Sequence, residues 1–350
     1  MTGPRPTVSV IIPAYQDVTR LLAALSSLAQ QDYPADRVQL VVVDDGSPVP
    51  LPAAALVNAA APQPLQLVRM AANQGRARAR NAGLAHAGGE LVVFVDSDMT
   101  VAPGFLSAHA AAVGHGTHRV AIGQILIPTG QQRGAVARYQ RGRGVHRLPV
   151  GAPIPFKCFV TGNSSLPRGL LGQVGGFDER FCAYGGEDLE LGYRLHRAGA
   201  EFVFADAAIS WHHHIRSLRG LGQMMAIYGA HGLPLLLALH PELAGVVRLD
   251  FLQLRPWQPR RLLLRAACWG VVYWPLWLMA VALQRGWVPS MVLDYLWWRA
   301  RTVAFLGVRR RLASPPAKGP VDASAPPDRH EPSPLPATEH RSAADGPGEP

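Results

Sequence analysis

The run Leu91–Val95, which ends in Asp96-Ser97-Asp98, constrains the fold of this chain more than any other stretch. Its apolar residues follow two glycines and include valine and phenylalanine, which predicts a buried strand. In open α/β sheets, ligands bind where such strands end. Side chains at i and i+2 of an extended backbone share a face, so Asp96 and Asp98 can hold one Mg²⁺ or Mn²⁺ and, through it, a diphosphate. A polar turn after a core strand explains the same residues.

Three other predicted strands precede this one, and helical patterns lie between strands. The strand patterns cover 8–12, 38–43 and 65–69, and the helical patterns cover 20–30 and 73–87. Strand, helix and strand in succession predict parallel strands joined by right-handed crossovers. Polar residues follow three of the four strands, which predicts a nucleotide-type site at one sheet edge. These residues are Asp44, Asp45, Asn73, Gly75, Asp96 and Asp98.

Motifs and charge disfavour several functional classes. No G-x-G-x-x-G follows the first strand and no G-x-x-x-x-G-K-[ST] occurs in the sequence, which disfavours an NAD-type Rossmann domain and a P-loop NTPase. The net charge is +10, with eleven arginines against two aspartates between Arg248 and Arg311. Such a surface can meet anionic lipid or phosphorylated substrates. Nucleic acid is disfavoured, because these arginines lie beside tryptophans in an apolar segment and no nucleic-acid-binding motif is present.

Six motifs, in this order along the chain, resemble those of family 2 glycosyltransferases. They are Val8–Tyr15, Val41–Ser47, Asn73–Gly83, Phe94–Asp98, Gly175–Phe181 and Tyr184–Glu190. The resemblance implies the GT-A fold, an α/β fold with a Rossmann-like, mostly parallel central sheet flanked by helices. It also implies inverting transfer of a sugar from a nucleoside-diphosphate sugar, with Mg²⁺ or Mn²⁺ on the diphosphate.

The resemblance implies a donor site at the ends of the first strands. Pro13, Ala14 and Tyr15 would line the base. Asp44 and Asp45 would accept hydrogen bonds from the base or ribose, although an Asp-Gly turn explains this pair as well. Arg80 matches the family's Ala-Arg-Asn, whereas Arg76 and Arg78 fan around the predicted helix and are expected in solvent. The predicted donor side is completed by Asn73, Gly75, Asp96 and Ser97.

The block Gly185-Gly186-Glu187-Asp188 opens a predicted helix that continues to Gly199. Acidic residues are favoured at a helix start by the helix dipole, so capping is one explanation. Inverting sugar transfer needs a carboxylate that takes a proton from the acceptor hydroxyl. The resemblance assigns this base to Asp188 and places Glu187, Gly186 and Asn163 on the acceptor or sugar side.

Three histidines follow the predicted strand at 205–210. His212 and His214 would share a face of an extended backbone. The resemblance implies that a histidine here completes the metal shell or touches the diphosphate. His212 is the best positional match, which makes Asp96, Asp98 and His212 the predicted metal ligands, and His214 is second. A solvated or buried histidine cluster is the alternative.

The composition shifts from His231 onward. Ala266–Gln284 has nineteen residues without a charge, centred on Pro275. A helix of that length spans about 28 Å, close to the ~30 Å of a bilayer core. Arginines on both sides contradict a simple span under the positive-inside rule. We therefore expect a kinked pair lying on an anionic leaflet; a true span and a buried helix pair remain as alternatives.

The predicted organisation is a GT-A domain over 1–240, a membrane-associated helical region over 241–312, and a disordered proline-rich tail over 313–350. Glycines and prolines between 142 and 155 predict a mobile loop. Met1–Thr7 lacks the apolar stretch of a signal peptide. We expect the protein at the cytoplasmic face of the cell membrane, peripheral rather than spanning.

The predicted function is metal-dependent inverting sugar transfer to a lipid-linked or cell-envelope glycan. No Gln-x-x-Arg-Trp follows the predicted base, and the resemblance then implies one addition per encounter. The first alternative is a nucleotide-sugar pyrophosphorylase, which needs a glycine-rich basic loop after the first strand that this sequence lacks. The second is a membrane-bound scaffold that has kept the fold and lost catalysis; the carboxylates at 96, 98, 187 and 188 argue against it.

Overall fold

The computed structural model describes residues 5–114, 118–131, 134–141, 145, 148, 153–255 and 257–313. The described residues up to 312 belong to one compact unit. The tail predicted over 313–350 lies outside the described residues except for Ala313. Most of the loop predicted between 142 and 155 lies outside them as well.

Within the described residues, the core is an eight-stranded mixed sheet in the order β3-β2-β1-β4-β7-β6-β8-β5. β1 to β4, β6 and β8 run in one direction, because β7 lies antiparallel between β4 and β6 and β8 is parallel to β6. The predicted α/β class with a mostly parallel sheet is confirmed. The strands are β1 (Val8–Ala14), β2 (Val38–Asp44), β3 (Leu65–Arg69), β4 (Leu91–Val95), β5 (Met99–Val101), β6 (Arg119–Leu126), β7 (Asn163–Pro167) and β8 (Glu201–His212).

Helices flank this sheet and fill the carboxyl-terminal part of the described chain. α8 and α9 are joined by the wider turn Tyr228–Gly232 into one long helix. The helices are α1 (Val18–Ala29), α2 (Ala53–Ala60), α3 (Arg76–Ala85), α4 (Phe105–Val113), α5 (Ala135–Arg141), α6 (Arg168–Val174), α7 (Glu187–Arg197), α8 (Leu218–Ile227), α9 (Leu233–Leu239), α10 (Pro259–Ala266), α11 (Gly270–Ala282) and α12 (Ser290–Ala313).

Strand β4 is buried on both faces, as its apolar run predicts. Its alternate residues enter different hydrophobic clusters, since successive side chains of a strand point to opposite faces. Val92 and Phe94 pack in the cluster that contains Phe177. Val93 and Val95 pack in the cluster that contains the buried leucines of α1. The strand is thereby fixed between two layers, and only its carboxyl end can offer polar groups to a ligand.

The strand directions bring five chain segments to one edge of the sheet. β1 and β2 end there in register, with Ala14 opposite Asp44. β4 ends beside the start of β7, with Val95 opposite Asn163. β8 ends at His212, which pairs with Met99 of β5. The short β5 was not expected from the sequence, because three residues carry no detectable period.

Helix α7 starts from two glycines that both have positive φ, 90° at Gly185 and 108° at Gly186. A Cβ at Gly186 would lie 2.7 Å from the ring of Phe181. Both this close contact and the positive φ therefore require glycine at position 186. On the other side, a Cβ at Gly232 would lie 2.1 Å from the carbonyl oxygen of Gly185. The long α8–α9 helix therefore packs with its backbone directly against the segment that opens α7.

The carboxyl-terminal helices share a hydrophobic cluster with the sheet. Leu243, Leu249, Phe251 and Phe305 are buried in the cluster that contains Phe94. The boundary predicted at 240 does not coincide with a gap in this packing. That division of the chain remains a prediction.

By length and composition, one helix in the described chain, Leu218–Leu239, can cross a membrane, and α10 with α11 would count as a second if the bent pair formed one span. The two members of that pair meet at 50°. The bend lies between Ala266 and Gly270 rather than at Pro275, which sits inside α11. At ~1.5 Å per residue, α11 alone spans about 20 Å, too short for a bilayer core.

Two helical glycines, one in α3 and one in α6, give a matched test of how closely α3 packs on the sheet. A Cβ at Gly83 of α3 would lie 2.6 Å from a methyl carbon of the buried Ile11, so Gly83→Ala should cost about 1–3 kcal/mol through overpacking. Gly172 of α6 has no atom within 4 Å of a Cβ. Gly172→Ala should stabilise the protein by about 0.5–1 kcal/mol through lower chain entropy. Urea denaturation measures both; the same sign for both variants would contradict the packing of α3 on β1.

Candidate active site

A cavity of about 890 Å³ opens at the edge where the strands end. Its walls come from the segments after β1, β2, β4 and β8, from the segment before β7 and from the start of α7. Nine of the residues predicted from the sequence line it: Pro13, Ala14, Tyr15, Asp45, Asp96, Ser97, Asp98, Asp188 and His212.

Seven predicted site residues do not line this cavity, and three of them lie on the predicted donor side. Asp44 is buried, pairs with Arg69 and accepts the backbone N–H of Ser47 at 2.9 Å. Gly75 has a φ of 90° and a Cβ there would lie 2.5 Å from the carbonyl oxygen of Cys182. Asn73 is exposed. The other four are Arg80, Asn163, Gly186 and Glu187.

Asp45 faces the cavity and also orders its rim. Its two carboxylate oxygens accept the backbone N–H groups of Gln74 at 2.8 Å and Gly75 at 3.0 Å. Burial raises the pKa of this carboxyl, and the two backbone hydrogen bonds offset only part of that shift. The carboxylate therefore fixes the loop before α3 and keeps lone pairs that can accept further hydrogen bonds.

Asn163 lies behind the cavity wall in a closed polar network. Its amide nitrogen donates to the carbonyl of Ala208 and to the hydroxyl of Ser210, both at 2.9 Å. Its Oδ1 is 2.9 Å from Nε2 of His109, whose pKa is lowered to about 4 by burial. The imidazole is therefore neutral, with Nε2 donating to Asn163 and Nδ1 accepting from Ser165 at 2.9 Å.

The buried side chain of Arg80 holds three carboxylates behind the cavity. Nη2 lies 3.1 Å from Asp96 Oδ1, and Nη1 lies 3.4 Å from Glu187 Oε1 and 3.6 Å from Asp188 Oδ1. Burial acts to lower the pKa of Arg80, and the three carboxylates together raise it, so the guanidinium stays charged. Arg80 thus joins the end of β4 to the start of α7.

Asp188 lies at the junction of this network and the cavity. Its side chain is 27% exposed, and Thr161 donates its hydroxyl to Oδ1 at 2.9 Å. The pKa of Asp188 is raised to about 6, by burial first and by the charge of Glu187 second, against the lowering effect of Arg80. A carboxylate with such a pKa is matched to accepting a proton near neutral pH.

Asp96 and Asp98 do not share a face. The N–H of Met99 donates to the carbonyl of Asp96 at 3.1 Å, so a turn replaces the extended backbone expected from the sequence. Asp96 turns to Arg80, while Asp98 Oδ2 lies 3.2 Å from Nε2 of His212. Burial acts to raise the pKa of Asp98, but the histidines and Arg76 outweigh it and the pKa is lowered.

The predicted divalent cation fits two ligands of this chain rather than three. Asp98 and His212 are separated by 3.2 Å, close to the roughly 3 Å between neighbouring ligands of a six-coordinate ion with bonds of about 2.1 Å. Among the described residues, no three His, Cys, Asp or Glu side chains are arranged to hold a metal. Mg²⁺ commonly uses one or two carboxylates and completes its shell with substrate phosphates and water, and this pair suits such an ion.

Several cationic residues of the cavity were missed from the sequence. Arg76, Lys157 and Arg216 line it, and in the described part of the chain no carboxylate forms an ion pair with any of them. The guanidinium of Arg76 lies over the ring of Tyr184, 5.2 Å from its centroid. The spacing of Arg76 and Arg78 in the sequence does not indicate which of the two faces the cavity.

Comparison with known proteins identifies the family. The model of glycosyl transferase family 2 matches residues 9–175, and a model described as the N-terminal domain of galactosyltransferase matches residues 144–217. The chain carries a family 2 glycosyltransferase domain. The first match contains the first four predicted motifs except Val8, together with the strands between Ser9 and Pro167, while β8 and the start of α7 fall in the second match.

Curated relatives of this glycosyltransferase share just under a third of aligned residues. Pre-mycofactocin glycosyltransferase of Mycobacterium tuberculosis is 29% identical over 67% of this chain and 48% of its own length. Validoxylamine A glucosyltransferase of Streptomyces hygroscopicus is 30% identical over 55% of this chain and 52% of its own. The uncharacterized glycosyltransferase YfnE of Bacillus subtilis is 29% identical over 58% and 64%. The chain therefore spans about half to two thirds of the length of these relatives.

Solved glycosyltransferase structures share the fold. The mannosyltransferase PcManGT of Pyrobaculum calidifontis, solved with GDP-Man and Mn²⁺, matches with a TM-score of 0.52 and 22% identity over 86% of this chain and 87% of its own. GalNAc-T7, solved with UDP, GalNAc and Mn²⁺, matches with a TM-score of 0.51 and 17% identity over 69% and 51%. These matches confirm the GT-A-like fold.

The Arg80 network of this glycosyltransferase should dominate its local stability. Replacing Arg80 by methionine leaves three carboxylates without their cation and should cost about 3–5 kcal/mol, the range for breaking a buried ion pair. Arg119→Met is the matched control, since its pair with Glu201 at 2.8 Å is exposed on both sides and should change stability little. Urea denaturation compares the two; equal losses would show that Arg80 is not the network's centre.

Proposed function

We propose that this chain is a metal-dependent inverting glycosyltransferase that moves a sugar from a nucleoside-diphosphate donor to an acceptor hydroxyl. The proposal rests on one observation: a candidate proton acceptor and a candidate cation-binding pair line the same cavity. Asp188, with a pKa of about 6, lines the same cavity as the pair Asp98 and His212. One group is suited to accept a proton, and the other pair is suited to a cation that holds a diphosphate.

The donor side is suited to a nucleoside diphosphate. Tyr15 offers an apolar ring for the base, and Asp45 offers acceptors for a base N–H or a ribose hydroxyl. Arg76, Lys157 and Arg216, which form no ion pair with a described carboxylate, give the cavity positive charge for phosphate oxygens. The structural relatives named above contain GDP-Man or UDP together with Mn²⁺, and we infer the same donor class here.

Asp98 and His212 would hold Mg²⁺ or Mn²⁺ in the loaded enzyme. When bound, the ion neutralises charge that develops on the leaving diphosphate. Burial lowers the pKa of His214 below its usual value, and Arg216 and Arg20 lower it further, so this second histidine is neutral at pH 7 and can accept a hydrogen bond or act as a ligand. Asp96, held by Arg80, orients the turn that carries Asp98.

Asp188 would take the proton of the acceptor hydroxyl as that oxygen attacks the anomeric carbon. The new carbon–oxygen bond forms on the face opposite the departing diphosphate, so the anomeric configuration inverts. Thr161 and Arg80 hold the carboxylate in place from two sides, which limits the reorganisation needed at the moment of attack. Glu187 and Gly186 shape the base segment without lining the cavity.

The acceptor we propose is a lipid-linked or cell-envelope glycan at the cytoplasmic face of the membrane, extended by one sugar per encounter. This acceptor class is supported by the exposed apolar and basic carboxyl-terminal helices.

A pyrophosphorylase is disfavoured because the loop after β1, Tyr15-Gln-Asp17, carries neither a glycine nor a cation. An inactive scaffold is disfavoured by the raised pKa of Asp188 at an open cavity. A panel of nucleotide sugars incubated with membrane extract, with release of the nucleoside diphosphate as the readout, tests the proposal; no release from any donor would reject it.

The pKa of Asp188 gives a test of the base. Because the unprotonated carboxylate is the active form, kcat/KM should be level above pH 7 and fall about tenfold per pH unit below pH 6. Asp188→Asn should abolish transfer while donor affinity, measured by calorimetry, stays near that of the native enzyme. Normal turnover in this variant would remove Asp188 from the role.

Thr161→Val gives a graded version of the same test. The hydroxyl of Thr161 donates to Asp188 and lowers its pKa, so the valine variant should shift the acidic limb of the pH profile to higher pH. If the acidic limb of the profile does not move, it does not report the pKa of Asp188.

Asp98→Ala tests the cation pair. With one of two protein ligands removed, nucleoside-diphosphate affinity in the presence of Mn²⁺ should fall about tenfold or more, while affinity in EDTA should change little. Calorimetry in both buffers measures the difference. An unchanged Mn²⁺-dependent gain in affinity would reject Asp98 and His212 as the ion-holding pair.

A further inference from the structure

Helix α11 is apolar on two opposite faces, and the described residues of the chain cover only one of them. Trp277 and Ala280 pack in a cluster with Leu293 of α12 and Leu218 of α8. The opposite face carries Val271, Trp274 and Leu278, which are 82%, 59% and 63% exposed. Their spacing of three and four residues places them in one stripe along the helix.

The neighbouring segments extend this uncovered surface. Leu262 and Leu263 of α10 are more than half exposed, and so are Met291 at the start of α12 and three tryptophans beside the two helices. Contiguous exposed apolar surface of this extent is unusual in soluble domains and marks an interaction site. The tryptophans are Trp257, Trp269 and Trp287.

Arginine is the dominant charged residue in the sequence around this surface. Between Asp250 and Asp294 the sequence contains five arginines and no lysine, aspartate or glutamate. Arg265 and Arg285 are exposed at either end of the uncharged stretch, and no described carboxylate pairs with them. An apolar stripe edged by tryptophan and arginine matches the interface of an anionic bilayer, where tryptophan rings sit at headgroup level and arginines meet lipid phosphates.

We propose that the exposed stripe of α11, with the apolar residues of α10, docks in the plane of an anionic lipid bilayer. The stripe consists of Val271, Trp274, Pro275, Leu278, Val281 and Ala282. The helix lies along the interface, because its thirteen residues are too few to cross the bilayer core. Arg265 and Arg285 contact lipid phosphates at its two ends.

The docked face lies one helix away from the cavity wall. Leu221 of α8 lines the cavity and packs in the same cluster as the covered face of α11. A helix with its side chains is about 10–12 Å across. The docked face of α11 therefore lies about one helix diameter from the cluster that contains Leu221. On the proposed function above, this geometry favours an acceptor that stays anchored in the lipid while its head group reaches Asp188.

Vesicle flotation of the full chain tests the surface without using activity. The probe is phosphatidylcholine vesicles with and without about one third phosphatidylglycerol. We expect binding to the anionic vesicles, and a loss of about tenfold or more in affinity for the triple variant Val271→Ser, Trp274→Ser, Leu278→Ser. Arg265→Gln with Arg285→Gln should lose roughly fivefold per arginine on anionic vesicles and little on neutral ones. Val49→Ser is the matched control, since Val49 is 78% exposed outside this region.

Thermal melting checks that each variant is folded, and release of nucleoside diphosphate with a water-soluble acceptor checks the cavity. Binding of the triple variant equal to that of the native chain would overturn the proposal. So would a lipid-independent dimer, seen by sedimentation and abolished by the triple variant, since a second copy would then cover the stripe. If the triple variant loses vesicle binding but still transfers sugar to the soluble acceptor, the stripe acts in lipid binding and not in catalysis. If the native chain transfers no sugar, the proposed glycosyltransferase function is rejected, and the lipid-docking proposal is unaffected.

Discussion

The guanidinium of Arg80 is the contact on which the site depends. One buried cation faces the carboxylates of Asp96, Glu187 and Asp188, so Arg80 joins its own helix to two other stretches of the chain. The cluster holds one positive charge against three negative groups, so the carboxylate nearest the cavity binds a proton more readily than in water. The raised pKa of Asp188 follows from that imbalance together with burial. Arg80 therefore holds these segments together and also limits how far burial and Glu187 raise the pKa of Asp188.

Charge is divided across the cavity. Negative groups gather around Arg80 near Asp188, while Arg76, Lys157 and Arg216 lie elsewhere on the wall, where no carboxylate of the described residues forms an ion pair with them. Proton acceptance needs local negative charge, and phosphate binding needs local positive charge. Asp98 and His212 lie within this cavity as a pair, one directly before β5 and the other at the end of β8. The pairing of Met99 in β5 with His212 in β8 brings them together.

The sequence predicts the strands better than the side-chain directions at their ends. Leu91–Val95 and Leu65–Arg69 are strands over the predicted residues, because burial on a sheet leaves a clear apolar pattern. The two aspartates after β4 were expected to face one way, and a hydrogen bond across Asp96 and Met99 turns them apart. Arg80 was predicted to touch the donor and is buried behind the wall instead. Which arginine of α3 points inward depends on the packing of the whole helix, which its alternating alanines and arginines do not encode.

The glycine pair Gly185 and Gly232 links the base to the carboxyl-terminal helices. Their backbones approach so closely that a methyl group at Gly232 would overlap the carbonyl of Gly185. Side chains usually act as a compressible layer between packed elements, and here no such layer exists. A small displacement of the α8–α9 helix is therefore transmitted to the start of α7 almost undiminished. Substitutions in the α8–α9 helix, far along the chain from Asp188, can in this way move the carboxylate of Asp188.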